Sequence, residues 1–277
     1  MSTAVATQVE LVRFAPESSR ARLLFEALCG AAASSGVEVV RTPAYRGISP
    51  WLLLWGPGAP ERASVLQRHV AAGGHVLAWD LAYWDRDHKA RVSIDAAHPS
   101  AWVMRQPFTR DRLLADRVPV ADAWSPTGPV IVAGLGDKAR VQYGAPAVDA
   151  WERQMIAICR ERWPGRPIVY RKKKAGSPVP ADLQVSSLST PIDEALKEAS
   201  LLITWHSNVA VDAIRMGIPV ICRDGAAAAV CQSAFGETDP MPLPVDVRDQ
   251  FLANLAHFQW APSEAAACWR FLHQVLP

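Results

Sequence analysis

The chain has 277 residues, half of them hydrophobic, with 29 basic and 27 acidic side chains and a formal charge of +2. That length holds two modest domains with sizeable cores, and the charge balance excludes a polycation whose bulk field alone would capture nucleic acid. Five scattered cysteines without a C-x-x-C pair and seven histidines without ligand spacing point to a reduced, cytoplasmic chain with no disulfide framework and no zinc site.

No apolar run reaches the length of a membrane span, and the N-terminus lacks the basic-then-apolar layout of a signal peptide, so no membrane is expected. Val9 to Phe14 reads as a first strand, Ser18 to Ala33 as a helix stopped by Gly36, and Val37 to Val40 and Trp51 to Trp55 as strands. Glu61 to Ala72 reads as a helix stopped by Gly73-Gly74, and His75 to Trp79 as a fourth strand. Short apolar strands alternating with helices imply a parallel sheet with covered faces. From Asp80 to Pro99 the chain is dense in charge and aromatics without regular period, and Arg110 to Asp116 is a short helix. Three prolines and a glycine between Val118 and Pro129 mark a linker, dividing the chain into 1–124 and 125–277.

The second half restarts with the strand Val130 to Ala133 and the loop Gly134-Leu135-Gly136-Asp137-Lys138. A helix from Pro146 to Trp163, a strand from Pro167 to Tyr170 opening onto Arg171-Lys172-Lys173-Lys174, a short strand near Asp182 to Ser186 and a helix from Pro191 to Ala199 follow. Leu201 to Cys222 is the clearest unit: an apolar strand to Trp205, a break at His206-Ser207-Asn208, a helix N-capped by Ser207 and ended at Gly217, then the strand Val220 to Cys222. Such a βαβ unit brings a helix start to the carboxyl edge of a sheet, where open α/β folds bind ligands and anions are favoured. Two helices, Asp246 to Phe258 and Ser263 to Leu276, close the chain.

Two Rossmann-like halves, with the segment W-H-S-N-V-A-V-D-A-I-R-M-G-I-P-V-I-C in the second, resemble the GT-B glycosyltransferases. The resemblance implies an α/β fold of two Rossmann-like domains facing a cleft, with the C-terminal helices packing back across. It implies an acceptor-side first domain, and a second that holds a nucleotide sugar, a UDP-sugar being preferred. It also implies that Gly134 and Gly136 lie near the donor phosphates, that the basic run from Arg171 through Lys172 and Lys173 to Lys174 faces the donor, and that Ser189 to Leu196, including Ile192, sits beside the nucleobase. His206, Ser207 and Asn208 with Asp212 match the strand–turn–helix whose acid holds the ribose hydroxyls. Three further stretches, Tyr83 to Arg86, Arg91 to Pro99 and Gln259 to Leu272, resemble compact phage-encoded glycosyltransferase-like proteins. Their relatives modify hydroxymethylated pyrimidines in DNA, which implies double-stranded DNA with modified bases as partner and the host cytoplasm as location.

Glycosyl transfer needs a stabilised diphosphate leaving group, an aligned donor and, for inversion, a base for the acceptor proton. Lys138, Arg171, Lys172, Lys173 and the helix start at Ser207 are the leaving-group candidates, with no metal required. Against this stands a solvated basic loop for Arg171 to Lys174, a dipole-matched carboxylate for Asp212 and a packed histidine for His206. Asp85 is the candidate base and His98 its reserve, with Tyr83, Trp84, Arg86 and Arg91 on the acceptor side. A structural pair of Asp85 with Arg86 or Arg91 is the competing expectation. Other functions stay open: transfer to a glycan, lipid or protein, a nucleotide-sugar epimerase, or a non-catalytic nucleotide- or DNA-binding protein. Monomer and homodimer are both compatible with the sequence.

Overall fold

A computed structural model describes residues 7–14, 17–142, 144, 149–173, 184–186 and 190–276, without the side chains of Lys138, Gln142 and Ser186. The chain is α/β. It begins β1 (Thr7–Val12), α1 (Ser19–Ala32), β2 (Val37–Thr42), β3 (Trp51–Trp55), α2 (Pro60–Ala71), β4 (His75–Leu81), β5 (Ala90–Ile94) and α3 (Asp111–Ala115). It continues with β6 (Val130–Ala133), α4 (Asp137–Gln142), α5 (Ala150–Arg162), β7 (Ile168–Arg171), β8 (Gln184–Ser186) and α6 (Ile192–Leu196). It ends β9 (Leu201–Thr204), α7 (Val209–Arg215), β10 (Val220–Cys222), α8 (Val245–His257), β11 (Gln259–Trp260) and α9 (Ala265–Val275). Contacts group the chain into two compact units, Met1–Trp102 with Leu255–Pro277, and Val103–Asn254. The proline-rich run that composition marks as a linker therefore lies inside the second unit.

The first unit holds a six-stranded sheet in the order β11-β5-β4-β3-β1-β2. β2, β1, β3 and β4 are parallel, whereas β5 runs antiparallel to β4 and β11 antiparallel to β5. This sheet is mixed, where strand–helix alternation predicts a parallel one. β5 is hidden in the sequence because Arg91 and Ser93 interrupt its apolar pattern. All five of its residues are nevertheless buried. Arg91 is accommodated there by Ser93 Oγ at 3.0 Å, the Ala97 carbonyl at 2.6 Å and Asp80 at 3.3 Å. Helix α1 starts where the sequence places it, with Ser18 Oγ accepting from the Ala21 N–H at 3.1 Å. α9 packs on α1, and the buried Trp269 indole donates to the Leu28 carbonyl at 2.9 Å.

The second unit is a parallel sheet in the order β10-β9-β6-β7-β8. Counted along the chain from β6, that is 3-2-1-4-5 read from the β8 edge, the doubly wound order whose direction reverses between β6 and β9. β6 and β9 are buried throughout, as is every residue of α7, while β10 is the edge strand of the sheet. Gly217 ends α7 at φ 72°, a conformation only glycine adopts cheaply, and a Cβ there would lie 2.8 Å from Arg248 Nη1. The run at 118–129 is pinned to this unit: Ala121 and Ala123 N–H groups donate to the Arg215 and Met216 carbonyls, both at 2.9 Å.

Candidate functional site

The strand order reverses between β6 and β9, and in open α/β sheets the carboxyl ends of the strands at such a reversal form the ligand-binding crevice. The glycine loop leaves β6 here. Gly134 is tight against Tyr170 at the end of β7: a Cβ would lie 2.3 Å from the tyrosine oxygen. Burial pushes the Tyr170 phenol up to about 12, with the nearby Glu152 charge acting in the same direction. Lys173 lies over Gly136, its Cγ 3.2 Å from where a Cβ would be. The loop and the basic run, separate in sequence, are thus neighbours in space.

Beneath the loop is Glu152, fully buried in the first turn of α5. Its Oε1 accepts from the Leu135 N–H at 2.9 Å and from Arg140, while Oε2 and Arg140 Nη1 are buried without partners among the described residues. The sequence reading passed over Glu152. The signal was its helical phase, since Glu152, Ile156 and Cys159 recur at i, i+4 and i+7 and share the buried face.

On the other side of the crevice, His206, Ser207 and Asn208 follow β9 and are half-buried. The N-cap position of α7 is Asn208, one residue later than expected, and its side chain makes no cap bond. Ser207 Oγ accepts from the Val209 N–H at 3.4 Å, and the Ser207 N–H donates to Thr204 Oγ1 at 3.3 Å. Asp212 is buried on α7 with Oδ1 3.5 Å from Arg215 Nε, and Arg215 also pairs with Asp193 beside Ile192. Arg171 donates to the Thr190 carbonyl at 3.1 Å. Burial lowers its pKa, and the Asp212 charge opposes that shift, which puts the two in electrostatic reach. Arg171, Asp212, Arg215 and Asp193 therefore form one charged string across β7, α7 and α6. Lys172 is half-buried and Lys173 exposed. Lys138 lies on α4 with its side chain outside the described residues, as are Lys174 and Ser189. Among the described residues, no group of three metal-ligating side chains gathers and no helix is long and apolar enough to cross a membrane.

In the first unit the quoted stretches meet around one side chain. The fully buried Gln259 accepts from the Tyr83 N–H at 2.6 Å, and its strand pairs with β5 so that Gln259 faces Arg91. Tyr83 and His98 are buried, with Oη and Nδ1 3.5 Å apart, and the Arg91 guanidinium lies 5.4 Å from the Tyr83 ring centre. Trp84 is half-buried. Asp85 is exposed. Its Oδ1 meets His88 Nδ1 at 2.7 Å, and Arg86 Nε donates to the Tyr83 carbonyl at 3.2 Å. Asp85 has φ 49°, a left-handed turn that re-aims the chain between β4 and β5. The hydrogen bond and charge of Asp85 raise His88 above the ordinary imidazole value.

Mixed and parallel sheets, a doubly wound second unit and a glycine loop at its reversal point define an α/β fold of the doubly wound class. Among solved structures, the chain is similar to the β-Kdo 2,4 transferase of Thermosulfurimonas dismutans KpsC. The identity is 12%, over 97% of this chain and 98% of that one, with a TM-score of 0.56. It is likewise similar to the β-Kdo 2,7 transferase of the same KpsC, at 13% identity over 96% and 99% of the two chains, with a TM-score of 0.53. Identity at this level speaks for the fold alone. No protein-family model and no curated protein sequence matches the chain.

Proposed function

We infer that the chain is a nucleotide-sugar-dependent glycosyltransferase of the GT-B kind, with the second unit binding the donor and the Tyr83–Pro99 segment serving the acceptor. The observation that supports this most is the β6/β9 reversal point, where a glycine loop seated on buried Glu152 lies under Lys173. Loop N–H groups with Arg171, Lys172 and Lys173 would neutralise a diphosphate as it leaves, taking the place of a bound cation. Asp212, held by Arg215, would accept from the ribose hydroxyls, and Ile192 would flank the base. In the reaction the acceptor oxygen bonds to the anomeric carbon, the bond to the donor phosphate breaks, and the acceptor proton passes to Asp85, with His98 in reserve.

The finer reading takes a UDP-sugar as donor and a hydroxymethylated pyrimidine in DNA as acceptor. It is supported by the gathering of Tyr83, Arg91 and Gln259, from the three stretches of phage-like sequence, around one buried amide. The enzyme would then unstack its target base at a cost of about a few kcal/mol. A glycan acceptor is the second reading, favoured by the Kdo transfer that the names of the similar structures state.

Incubation with a panel of nucleotide sugars and either hydroxymethylcytosine duplex or oligosaccharide, read by mass spectrometry, decides between them. A sugar mass added to the nucleoside supports the DNA reading, and one added to the oligosaccharide supports the glycan reading. No release of nucleoside mono- or diphosphate from any donor overturns the transferase.

A further inference from the structure

The second unit carries another concavity, on the α5 side of its sheet at the ends of β9 and β10, with a volume of about 320 Å³. One wall is the α5 stripe Trp151, Met155 and Ile158, the floor includes Ile221, and the facing wall is Phe235. That facing wall is fixed in place. Phe235 packs on Trp163, and Arg162 donates to Asp239 at 2.7 Å and to the Gly236 and Glu237 carbonyls at 2.6 and 2.9 Å. The Trp163 indole adds a second bond to Asp239 at 2.9 Å. A wall tied down this way needs little ordering when a ligand enters.

Four polar groups interrupt the apolar lining: Gln154, Thr204, Ser233 and Arg223. The Arg223 guanidinium stacks 4.2 Å from the Trp205 ring centre and forms no ion pair among the described residues. A mostly apolar pocket of this size with a few convergent polar groups is the usual anatomy of a small-molecule site. Its one uncompensated charge is positive, and its walls present aromatic surface.

We propose that this pocket binds a small aromatic anion, the ring against Met155 and Phe235 and the carboxylate or phosphate on Arg223. A nucleotide other than the donor held at the β6/β9 edge and a separate aromatic acid share that chemistry. The site stands whether or not the chain transfers sugar, since its failure is read from binding and that of the transferase from product mass.

The test is a fluorescence titration of the full chain with 8-anilinonaphthalene-1-sulfonate, an aromatic anion that brightens when bound. Wild type should saturate at one site per chain. Arg223→Ala should weaken binding roughly tenfold or more, the loss expected for a charge-assisted contact. Met155→Trp, which fills the cavity, should abolish it with circular dichroism unchanged. Binding by Arg223→Ala within about twofold of wild type overturns the site, as does undiminished binding by folded Met155→Trp. Should Met155→Trp not fold, the exposed Arg223 variant decides alone. Displacement of the probe by uridine diphosphate supports the site and identifies its ligand as a nucleotide. Displacement by 4-hydroxybenzoate alone supports it with a separate aromatic acid, and displacement by neither overturns the ligand class.

Discussion

A methyl group at Gly134 would stand 2.3 Å from the Tyr170 oxygen, too close for either to remain in place. Gly134→Ala should therefore cost about 1–3 kcal/mol as overpacking strain and weaken donor binding. Tyr170→Phe in the same chain should recover part of the loss, as read from denaturant midpoints and nucleotide titration. Glu152 sits in the same small space. Its replacement by Ala leaves Arg140, with 11% of its side chain exposed, facing no carboxylate there. The expected cost is about 3–5 kcal/mol by thermal unfolding, and replacing both residues by apolar ones should cost less than Glu152→Ala alone. Across the first unit, Asp85 holds His88 above the ordinary imidazole value of 6.5. A raised folded value means the pair adds stability that is complete below the unfolded value and lost as pH rises through the folded one. Asp85→Asn should move the His88 titration, followed by proton NMR, back down toward 6.5. An unchanged titration would separate the two side chains. If Asp85 is also the base, the same variant abolishes transfer while donor affinity stays at the wild-type value.

Among the elements, those whose burial matches a single period were legible. β3 reads W-L-L-L-W and is a strand over Trp51–Trp55, and Ser18 and Gly36 bracket the first helix as their chemistry requires. The β9–α7–β10 unit follows its sequence closely because both strands and the helix are buried throughout, with the half-buried turn between them moving the helix cap by one residue. β5 and β11 were not legible because buried polar residues break their apolar pattern: Arg91 is satisfied by Ser93, Ala97 and Asp80 around its own hairpin, and Gln259 reaches the backbone of Tyr83. Gln259 accepts from the backbone of Tyr83, 176 residues away, and no local window contains that bond. Glu152 was missed for the same reason, a core position occupied by a charge whose partners are a distant loop and Arg140. Gln259→Ala would leave the Tyr83 N–H without that acceptor inside the fold. A loss of about 1–3 kcal/mol is expected, with faster amide exchange at Tyr83 and Trp84. A loss confined to side-chain packing would leave those two amides as protected as before.

At the scale of the whole molecule, composition and alternation imply two α/β halves, and the resemblance adds C-terminal helices that pack back. Everything from Leu255 onward groups with the first unit, and the proline-rich run groups with the second. Local signals describe elements, whereas membership of a unit is decided by which apolar faces find each other, as α9 finds α1 through Trp269. This grouping makes the proposed division of labour testable in the intact chain. The second unit is one continuous segment, Val103–Asn254, and the proposed ligand edge consists of its loops after β6, β7 and β9. A nucleotide that binds there stabilises the native state by mass action and slows local opening of those loops first. Hydrogen exchange with a saturating nucleoside diphosphate should therefore protect residues 134–136, 171–173 and 205–208, while β1 to β4 keep their free-state rates. Protection centred on the first unit would reverse the assignment of donor and acceptor sides, and protection in neither would remove the donor site from the β6/β9 crevice.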